Sequence, residues 1–451
     1  MDERLREGRR AIVIGAGISG LLSAAALAPA FQEVLVLEQD PRVPAQNPGP
    51  RPGVPQGRHP NILMMRGAQA MRDLLPGLDA ALVRAGVRSH DTGHVVFCAG
   101  ERTSPPRSFG LPAHSVSRPV LEECIRAEVS ALPQVRMENG VRVVGLHTTT
   151  GRRVAGVAVA ALPGGDGTRH QGEPEVLHAD LVLDASGRTS QAHHWLRNLG
   201  VPAPRTEIVD GQAGYVTTWL TSPGPLTPAR PMLYELGSIS RIGRGAAAVR
   251  VEGGLTVLAA FGRGEDRPPA DRAGFLAFLR SLDNPLLDGV AAGLGPGEPL
   301  YRYARLPNRR RRYAMRSWPA GLLVLGDALC LLNPVYGQGM TVAALQAVLL
   351  RRHGPGLRHD PGNVRQVQRL LTRQTTVPWL TSTAQDARWT STPPFYTTAI
   401  AWLLDRTLDR AIDDEHAHRA ILETMHMVSR TALLRPRTLA ALLRPEKSGR
   451  A

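Results

Sequence analysis

The first apolar segments of the chain predict a strand, a helix and a second strand. Residues 11–14 (AIVI) and residues 34–37 (VLVL) are short apolar runs of the kind found in buried parallel strands. Between them lies an uncharged stretch rich in alanine and leucine, which is typical of a buried helix. These elements in this order predict a βαβ unit whose two strands pair in parallel.

The turn between the first strand and the helix contains Gly15, Gly17 and Gly20 in the spacing G-x-G-x-x-G. The first glycine permits a tight turn, the second lets the backbone approach a pyrophosphate, and the third lets the helix pack against the strand. The helix N terminus offers unpaired N–H groups to phosphates, and Glu38 is placed to accept hydrogen bonds from ribose hydroxyls. The unit therefore predicts a dinucleotide site. The alternatives are an ordinary βαβ unit with a glycine turn, or a membrane span, since residues 11–30 carry no charge.

Later segments predict an α/β protein with an inserted antiparallel sheet. Residues 205–300 hold short apolar runs broken by Gly and Pro, and residues 163–174 form a Gly- and Pro-rich loop. The segment that begins at Gly321 returns to a strand, a loop and a helix. The predicted divisions are a discontinuous, Rossmann-like dinucleotide-binding domain (1–95, 115–204 and 301–355), a substrate-binding sheet domain (96–114 and 205–300) and a C-terminal helical region (356–451).

Composition narrows the class of protein. The 451 residues are 43% hydrophobic and 21% charged, as in ordinary globular proteins, and are long enough for two or three domains. The net charge of +15 comes almost entirely from arginine, since Lys447 is the only lysine. The densest run, residues 309–312, lacks a basic helix or an aromatic platform. We therefore expect no nucleic-acid binding, and we expect this run to be surface charge rather than a phosphate site for NADPH.

The three cysteines, Cys98, Cys124 and Cys330, lack metal-ligand spacing, and their odd number argues against a disulfide framework. We expect reduced thiols, no metal, and a cytoplasmic protein. Acidic residues at positions 2, 3 and 7 interrupt any basic leader, so no signal peptide is expected, and no later run resembles a membrane helix.

Two later motifs turn the dinucleotide prediction toward a flavin. Residues 184–188 (DASGR) follow a buried strand, and residues 326–341 combine Gly326-Asp327-Ala328 with Asn-Pro and Gly-Gln-Gly-Met-Thr. The Asp327 carboxylate could bind ribityl hydroxyls at the end of its strand. The helix that opens at Met340 would direct its positive N terminus toward the ring, whose reduced form carries negative charge.

These blocks, in this order over roughly residues 10–350, resemble the group A FAD-dependent monooxygenases, the superfamily of aromatic hydroxylases and squalene epoxidase. The resemblance implies a glutathione-reductase-type FAD domain and transient reduction by NAD(P)H, directly or through a flavin reductase. It also implies that the reduced flavin reacts with O₂ to give a C4a-hydroperoxide, which passes one oxygen to an alkene or arene. This chemistry does not strictly need a side-chain acid or base, so no proton-transfer residue is assigned.

A narrower resemblance points to bacterial polyether-type epoxidases. It is carried by residues 53–59 (GVPQGRH), 117–119 (SRP), 199–202 (LGVP), 308–310 (NRR), 333–337 (NPVYG), 378–379 (PW) and 386–389 (DARW). It implies epoxidation of an alkene in a small hydrophobic polyketide or terpenoid. The alternatives are hydroxylation of another natural product, a reductase or cyclase acting on isoprenoid or polyketide double bonds without oxygen transfer, and a binding protein that has lost the cofactor. A halogenase is disfavoured, because its tryptophan signature and a catalytic lysine are absent.

The resemblance also implies site residues. Gly15, Gly17 and Gly20 would bind the pyrophosphate, Glu38 the adenosine ribose, and the backbone near Val143 the adenine. Arg118 would reach the phosphate or ribityl region, and Asp327 would bind the ribityl or pyrophosphate group. Asp184 and Gly187 would line the site from the second motif. The isoalloxazine would lie against Pro334, Gly337, Gly339 and Met340, and Arg58 and His59 are further candidates for residues near the flavin. A structural role for Asp184 and a hydrogen bond from His59 to a loop carbonyl are the alternatives. The pocket candidates, chosen by segment character alone, are Tyr215, Trp219, Phe261, Trp389 and Phe395.

Overall fold

The computed structural model describes residues 10–42, 48–149, 153–162, 173–222, 224–236, 243–304, 306–313, 317–357 and 361–444. Most of the loop predicted at residues 163–174, the acidic residues near position 1 and Lys447 lie outside these ranges. In chain order the strands are β1 (Arg10–Ile14), β2 (Glu33–Glu38), β3 (Ile62–Leu63), β4 (Arg88–Asp91), β5 (Val96–Ala99), β6 (Arg102–Thr103), β7 (Pro112–Ser115), β8 (Val135–Asn139), β9 (Val141–Thr148), β10 (Val154–Ala161), β11 (Glu175–His178), β12 (Leu181–Asp184), β13 (Thr206–Val209), β14 (Ala213–Leu220), β15 (Met232–Glu235), β16 (Gly245–Arg250), β17 (Thr256–Arg263), β18 (Tyr301–Ala304), β19 (Asn308–Arg311), β20 (Leu322–Val324) and β21 (Cys330–Leu331). The helices are α1 (Ile18–Leu27), α2 (Met65–Leu74), α3 (Leu78–Arg84), α4 (Arg118–Ser130), α5 (Ala192–Asn198), α6 (Arg272–Arg280), α7 (Pro285–Ala291), α8 (Gly339–His353), α9 (Pro361–Gln374), α10 (Thr376–Asp386), α11 (Thr397–Ala411), α12 (Glu415–Met425) and α13 (Pro436–Leu443).

Five of the described strands form a parallel sheet in the order β20-β12-β1-β2-β8. Four of its strands have an apolar, buried interior, because a parallel sheet is covered on both faces. These interiors are residues 11–14, 34–37, 181–183 and 322–324. Helix α1 packs against α4 and α8, and the antiparallel meander β9–β11 packs against β2 and β12. The predicted βαβ unit and the mixed α/β fold class are confirmed.

Seven of the described strands form a second sheet in the order β18-β14-β17-β16-β15-β5-β6, in which only the β15–β5 pair is parallel. Alternation along β17 divides its side chains between two faces. Leu258 and Ala260 pack against α6 and α7, while Val257 packs with the C-terminal helices. The sheet is therefore apolar on both sides, with a helical layer over each.

Strand β18 begins the segment 301–355 of the predicted dinucleotide-binding domain, and it pairs with β14 at the edge of the seven-stranded sheet. The edge of β14 was open to a further strand, which a sequence pattern cannot reveal. The division into domains stays a prediction.

The chain from residue 361 to residue 444 consists of helices α9–α13 and their connections. Ala384, Leu404 and Ile421 pack with Val249 and Val257 of the seven-stranded sheet. Across the described ranges, no helix has both the length and the apolar character needed to cross a membrane.

A Gly20→Ala substitution should destabilise the fold. A Cβ at position 20 would lie 1.8 Å from the Gly15 carbonyl oxygen, so α1 would have to move away from β1. We expect the free energy of unfolding to fall by about 1–3 kcal/mol or more, as in overpacked cores, measured by denaturant titration. The control is Gly145→Ala in β9, where a Cβ meets nothing within 4 Å. Equal stability of the two variants would contradict the close packing of α1 on β1.

Candidate functional site

A cavity of about 760 Å³ opens at the carboxyl ends of the parallel strands. Its lining includes Gly15 and Gly17 from the first turn, Asp327 after β20, and residues of β15–β17 and α12. It therefore joins the parallel sheet to the seven-stranded sheet, and it contains the segments that the sequence motifs singled out.

The glycine turn has the shape of a phosphate cradle. Gly15 has φ +95°, and a Cβ there would lie 2.8 Å from the Ala185 carbonyl oxygen. A Cβ at Gly17 would meet nothing closer than 3.8 Å, so the backbone at this position is open to the cavity. Helix α1 has no side-chain cap and no acid in its first turn, which leaves its N–H groups available to an anion. Gly20 does not line the cavity and serves the helix packing instead.

Glu38 lines the cavity, where it holds the first turn to the loop after β2. Its carboxylate accepts hydrogen bonds from the backbone N–H groups of Ala16 (2.8 Å) and Asp40 (3.0 Å). It also lies 3.1 Å from Nη1 of Arg51. The Val143 position lines the same end of the cavity.

Arg51 is a cavity residue that the sequence analysis missed. Its guanidinium is nearly buried and pairs with Asp40 and Glu122, each at 2.7 Å, in addition to Glu38. Burial by itself would lower the pKa of Arg51, but these carboxylates raise it above its ordinary value. An isolated arginine in a Pro-rich loop gives no local sequence signal, because its partners come from two other segments, the end of β2 and α4.

Arg118 presents a donor that the protein leaves unsatisfied. It follows Ser117, whose hydroxyl caps α4 by accepting from the N–H of Val120 at 3.3 Å. The Arg118 Nε atom is buried without a hydrogen-bond partner and lies 3.6 Å from a Glu122 oxygen. Burial lowers the pKa of Arg118 and raises that of Asp327, whose carboxyl also lines the cavity. The Arg118 Nε fits a polar ligand that supplies the missing hydrogen bond.

Asp184 does not line the cavity. It is fully buried, and its carboxylate accepts from the backbone N–H of Ser186 at 3.0 Å and from the hydroxyls of Ser186 and Ser190. The structural alternative therefore describes this residue, because its oxygens are engaged by the turn that follows β12. Gly187 of the same motif does line the cavity, with φ +72°.

The turn at residues 333–337 forms another wall. Asn333 begins it by accepting a hydrogen bond from the N–H of Val335 at 3.2 Å, and Gly337 ends it with φ +67°. Pro334, Gly337, Gly339 and Met340 all line the cavity. Helix α8 begins at Gly339 without a side-chain cap or an acid in its first turn, so its positive end faces this wall.

His59 lines the cavity, but its partner is not a loop carbonyl. Its Nδ1 atom lies 2.8 Å from the Thr217 hydroxyl, and its ring stacks on Tyr303 and meets the edge of Tyr215. Burial and the charge of Arg58 lower the pKa of His59 to about 4, so the ring is neutral at physiological pH.

Arg58 does not line the cavity, because its guanidinium lies 4.6 Å from the ring centre of Tyr301. The Arg58 carbonyl accepts a hydrogen bond from the indole of Trp219 at 3.0 Å, which places Trp219 outside the lining as well.

The other pocket candidates divide in the same way. Tyr215 and Phe261 line the cavity. Trp389 packs beside Gly243 and does not, and Phe395 is 97% exposed. Residue type alone does not predict which face of a strand or helix a side chain occupies, and so it does not separate the lining residues from the others. The residues that line the far end were missed, although the period-two pattern of β16 and β17 pointed to some of them: Phe97, Met232, Tyr234, Ala247, Val249, Ala259, Leu422 and Met425.

Charge is distributed unevenly along the cavity. Its described lining residues from β15, β16, β17 and α12 include no charged side chain. The charged lining residues come from the first turn, the loop after β2, α4, the meander and the two later motifs: Glu38, Asp40, Arg51, Arg118, Arg142, Arg188 and Asp327. The cavity therefore has a charged end for a polar ligand and an apolar end for a neutral one.

The prediction that residues 309–312 are surface charge is wrong. Arg309 to Arg311 belong to β19, where Arg310 and Arg311 are buried. Arg310 and Arg312 pair with Glu207 of β13, and Arg310 also stacks on Trp379. The run holds strands together, which a charge count cannot show.

The described part of the chain contains no group of three or more His, Cys, Asp or Glu placed to bind a metal. Cys98, Cys124 and Cys330 are buried free thiols.

Comparison with known proteins identifies the family. No protein-family model matches the chain. The chain is 33% identical to Protein Rv3254 of Mycobacterium tuberculosis over 359 residues, and 33% identical to kynurenine 3-monooxygenase of Salinispora tropica over 377 residues; each match covers 76% of this chain and 72% of the relative. It is 25% identical to squalene monooxygenase 1,1 of Brassica napus, over 76% of this chain and 62% of that protein.

Among solved structures, the fold is similar to that of PqsL, described as a probable FAD-dependent monooxygenase from Pseudomonas aeruginosa. The TM-score is 0.65 at 16% identity, with 87% of this chain and 99% of PqsL covered. The chain belongs to the superfamily of FAD-dependent monooxygenases. It is therefore a flavin-dependent oxidoreductase that acts on an organic substrate and O₂.

Acid should destabilise the protein through its buried histidines. Burial lowers the pKa of His59, His90, His418 and His426 to about 4 in the folded state. The unfolded chain takes up these protons near pH 6.5, so stability is full above about pH 6.5 and falls toward pH 4. We expect a loss of about 1.4 kcal/mol per pH unit for each histidine within this window, measured by denaturant titration between about pH 7 and pH 5.

His426→Gln should flatten this pH profile, since it removes one titrating ring. The control makes the same substitution at a surface position, in His416→Gln, because His416 is exposed. The same slope in the His426 and His416 variants would show that His426 is not the acid-sensitive group.

Proposed function

We propose that this monooxygenase epoxidises an alkene in a neutral, apolar substrate of the polyketide or terpenoid class. The observation that carries this proposal is the far end of the cavity, where small and apolar residues of β15–β17 face Leu422 and Met425. A charged substrate would lose its hydration there without a compensating partner. The similarity to squalene monooxygenase supports the same substrate chemistry.

We place FAD along the charged half of the cavity. The AMP portion would lie by Gly15, Gly17, Glu38 and the backbone at Val143, with Gly20 supporting the turn. The unsatisfied Arg118 Nε and the Asp327 carboxyl would meet the phosphate and ribityl groups, with Gly187 beside them. The isoalloxazine would lie against Pro334, Gly337, Gly339 and Met340, where α8 presents its N terminus.

When bound, FAD supplies the redox chemistry that divides O₂ between the product and water, using electrons from NAD(P)H delivered directly or through a reductase. The chain itself excludes water and orients the substrate. Tyr215, Phe261 and the neutral His59 ring line the cavity and would hold the alkene against the isoalloxazine. Thr217 holds the His59 ring in place through the contact with Nδ1. Oxygen-atom transfer to an alkene does not require His59 to give or take a proton.

Arg118→Met should weaken FAD binding by about tenfold or more, because a charge-assisted hydrogen bond to phosphate contributes about 1.5–3 kcal/mol. The measurement is a fluorescence titration of the FAD-free protein with FAD. Arg84→Met, which removes an exposed arginine of α3, is the matched control. An unchanged FAD affinity in the Arg118 variant would contradict its placement beside the phosphate or ribityl group.

Turnover under ¹⁸O₂ tests the reaction type. With NAD(P)H, and a flavin reductase if one is needed, neutral polyenes such as squalene and linear polyketide trienes should yield epoxides that carry one labelled oxygen atom. Kynurenine, a charged amino acid, should not stimulate NAD(P)H oxidation. A product without label would indicate a reductase or cyclase, and stimulation by kynurenine but by no polyene would contradict the proposed substrate class.

A further inference from the structure

A buried carboxylate outside the cavity holds one of its walls. Asp386, the last residue of α10, is fully buried, and it forms an ion pair with Nη1 of Arg263. The Tyr336 hydroxyl donates to the same oxygen, Oδ1, at 2.6 Å. The other oxygen, Oδ2, accepts from the side-chain amides of Asn308 at 2.7 Å and Asn333 at 2.9 Å. Both oxygens are therefore saturated by donors.

These four donors come from three separate segments of the chain. Arg263 ends β17 of the apolar sheet, and Asn308 begins β19. Asn333 and Tyr336 belong to the cavity-lining turn that leads into α8. Asp386 thus fixes that turn relative to the sheet that forms the substrate end.

The donors are also bonded to one another, which removes their remaining freedom. Arg263 Nη2 donates to the Tyr336 hydroxyl oxygen at 2.7 Å, and the backbone N–H of Asn333 donates to the side-chain oxygen Oδ1 of Asn308 at 2.9 Å. The Asn333 side-chain oxygen accepts from Val335, so Asn333 cannot rotate its amide without losing a bond on each side. Such a network holds a single arrangement when every group is satisfied.

We propose that Asp386 is a positioning residue for the flavin ring: it orients the turn at residues 333–337 and the N terminus of α8 toward the substrate. This inference rests on the proposed placement of the isoalloxazine beside that turn. Asp386 does not line the cavity, so its effect passes through Asn333 and Tyr336. The C-terminal helical region is then part of the reaction site rather than a cover over it.

The test compares FAD-loaded Asp386→Asn with the wild type. We expect the visible absorption and circular dichroism of bound flavin to shift, together with its reduction potential. We also expect kcat to fall by about 10- to 100-fold, as for displacements near 1 Å, while KM changes less than twofold. Tyr336→Phe, which removes one hydroxyl from the network, should shift the flavin spectrum in the same direction by a smaller amount.

Asp405→Asn is the matched control. It neutralises another nearly buried aspartate of the C-terminal region, paired with Arg388 and not with the turn. It should leave the flavin spectrum and potential unchanged, even where stability falls.

Two results would overturn the inference. One is an Asp386→Asn protein that is less stable but has the wild-type spectrum, potential and kcat. The other, should Asp386→Asn not fold, is a Tyr336→Phe protein with an unaltered flavin spectrum. Failure of the wild type to bind FAD or to epoxidise alkenes would instead count against the proposed function, so the two failures are distinguishable.

Discussion

Parallel pairing of β1, β2, β12 and β20 is the constraint on which the site depends. Strands that run in the same direction end at the same edge, so the segments that follow them must meet there. This brings the glycine turn, Glu38, Gly187 and Asp327 to one cavity although they are far apart in the sequence. The close packing of Gly20 on Gly15 then sets the position of α1 relative to β1.

Buried charge is placed where it can be compensated. Arg51 has three carboxylate partners, and Asp386 has a cation and three neutral donors, so neither is left unpaired in a region of low dielectric. The lining residues from β15–β17 and α12 include no charged partner of this kind. On the function proposed above, this contrast separates a cofactor end from a substrate end within one continuous space.

The sequence predicts those turns of the site that short local motifs determine. Gly15, Gly17, Asp327 and Gly337 reach the cavity because a short motif determines the turn on which each lies. Phe395 was misplaced because aromatic character does not specify a direction. The alternation along β16 and β17 predicts which side chains share a face. It does not predict the sheet to which the two strands belong.

Long-range partners account for the rest. His59 pairs with Thr217, which is 158 residues away, and Asp386 pairs with Arg263, 123 residues away. A single sequence carries no signal for pairs of this kind, since each residue alone has several possible partners. The basic run of β19 shows the same limit, because its arginines are buried by a strand whose pairing no local pattern predicts.

A crystal structure of the FAD complex tests the central claim most directly. We expect the adenosine and pyrophosphate beside Gly15, Gly17 and Glu38, and the isoalloxazine against Pro334 to Met340, with the space lined by Ala247, Val249 and Ala259 left free for substrate. An FAD whose ring fills that apolar space, or lies away from the turn at residues 333–337, would contradict the division of the cavity into a cofactor end and a substrate end.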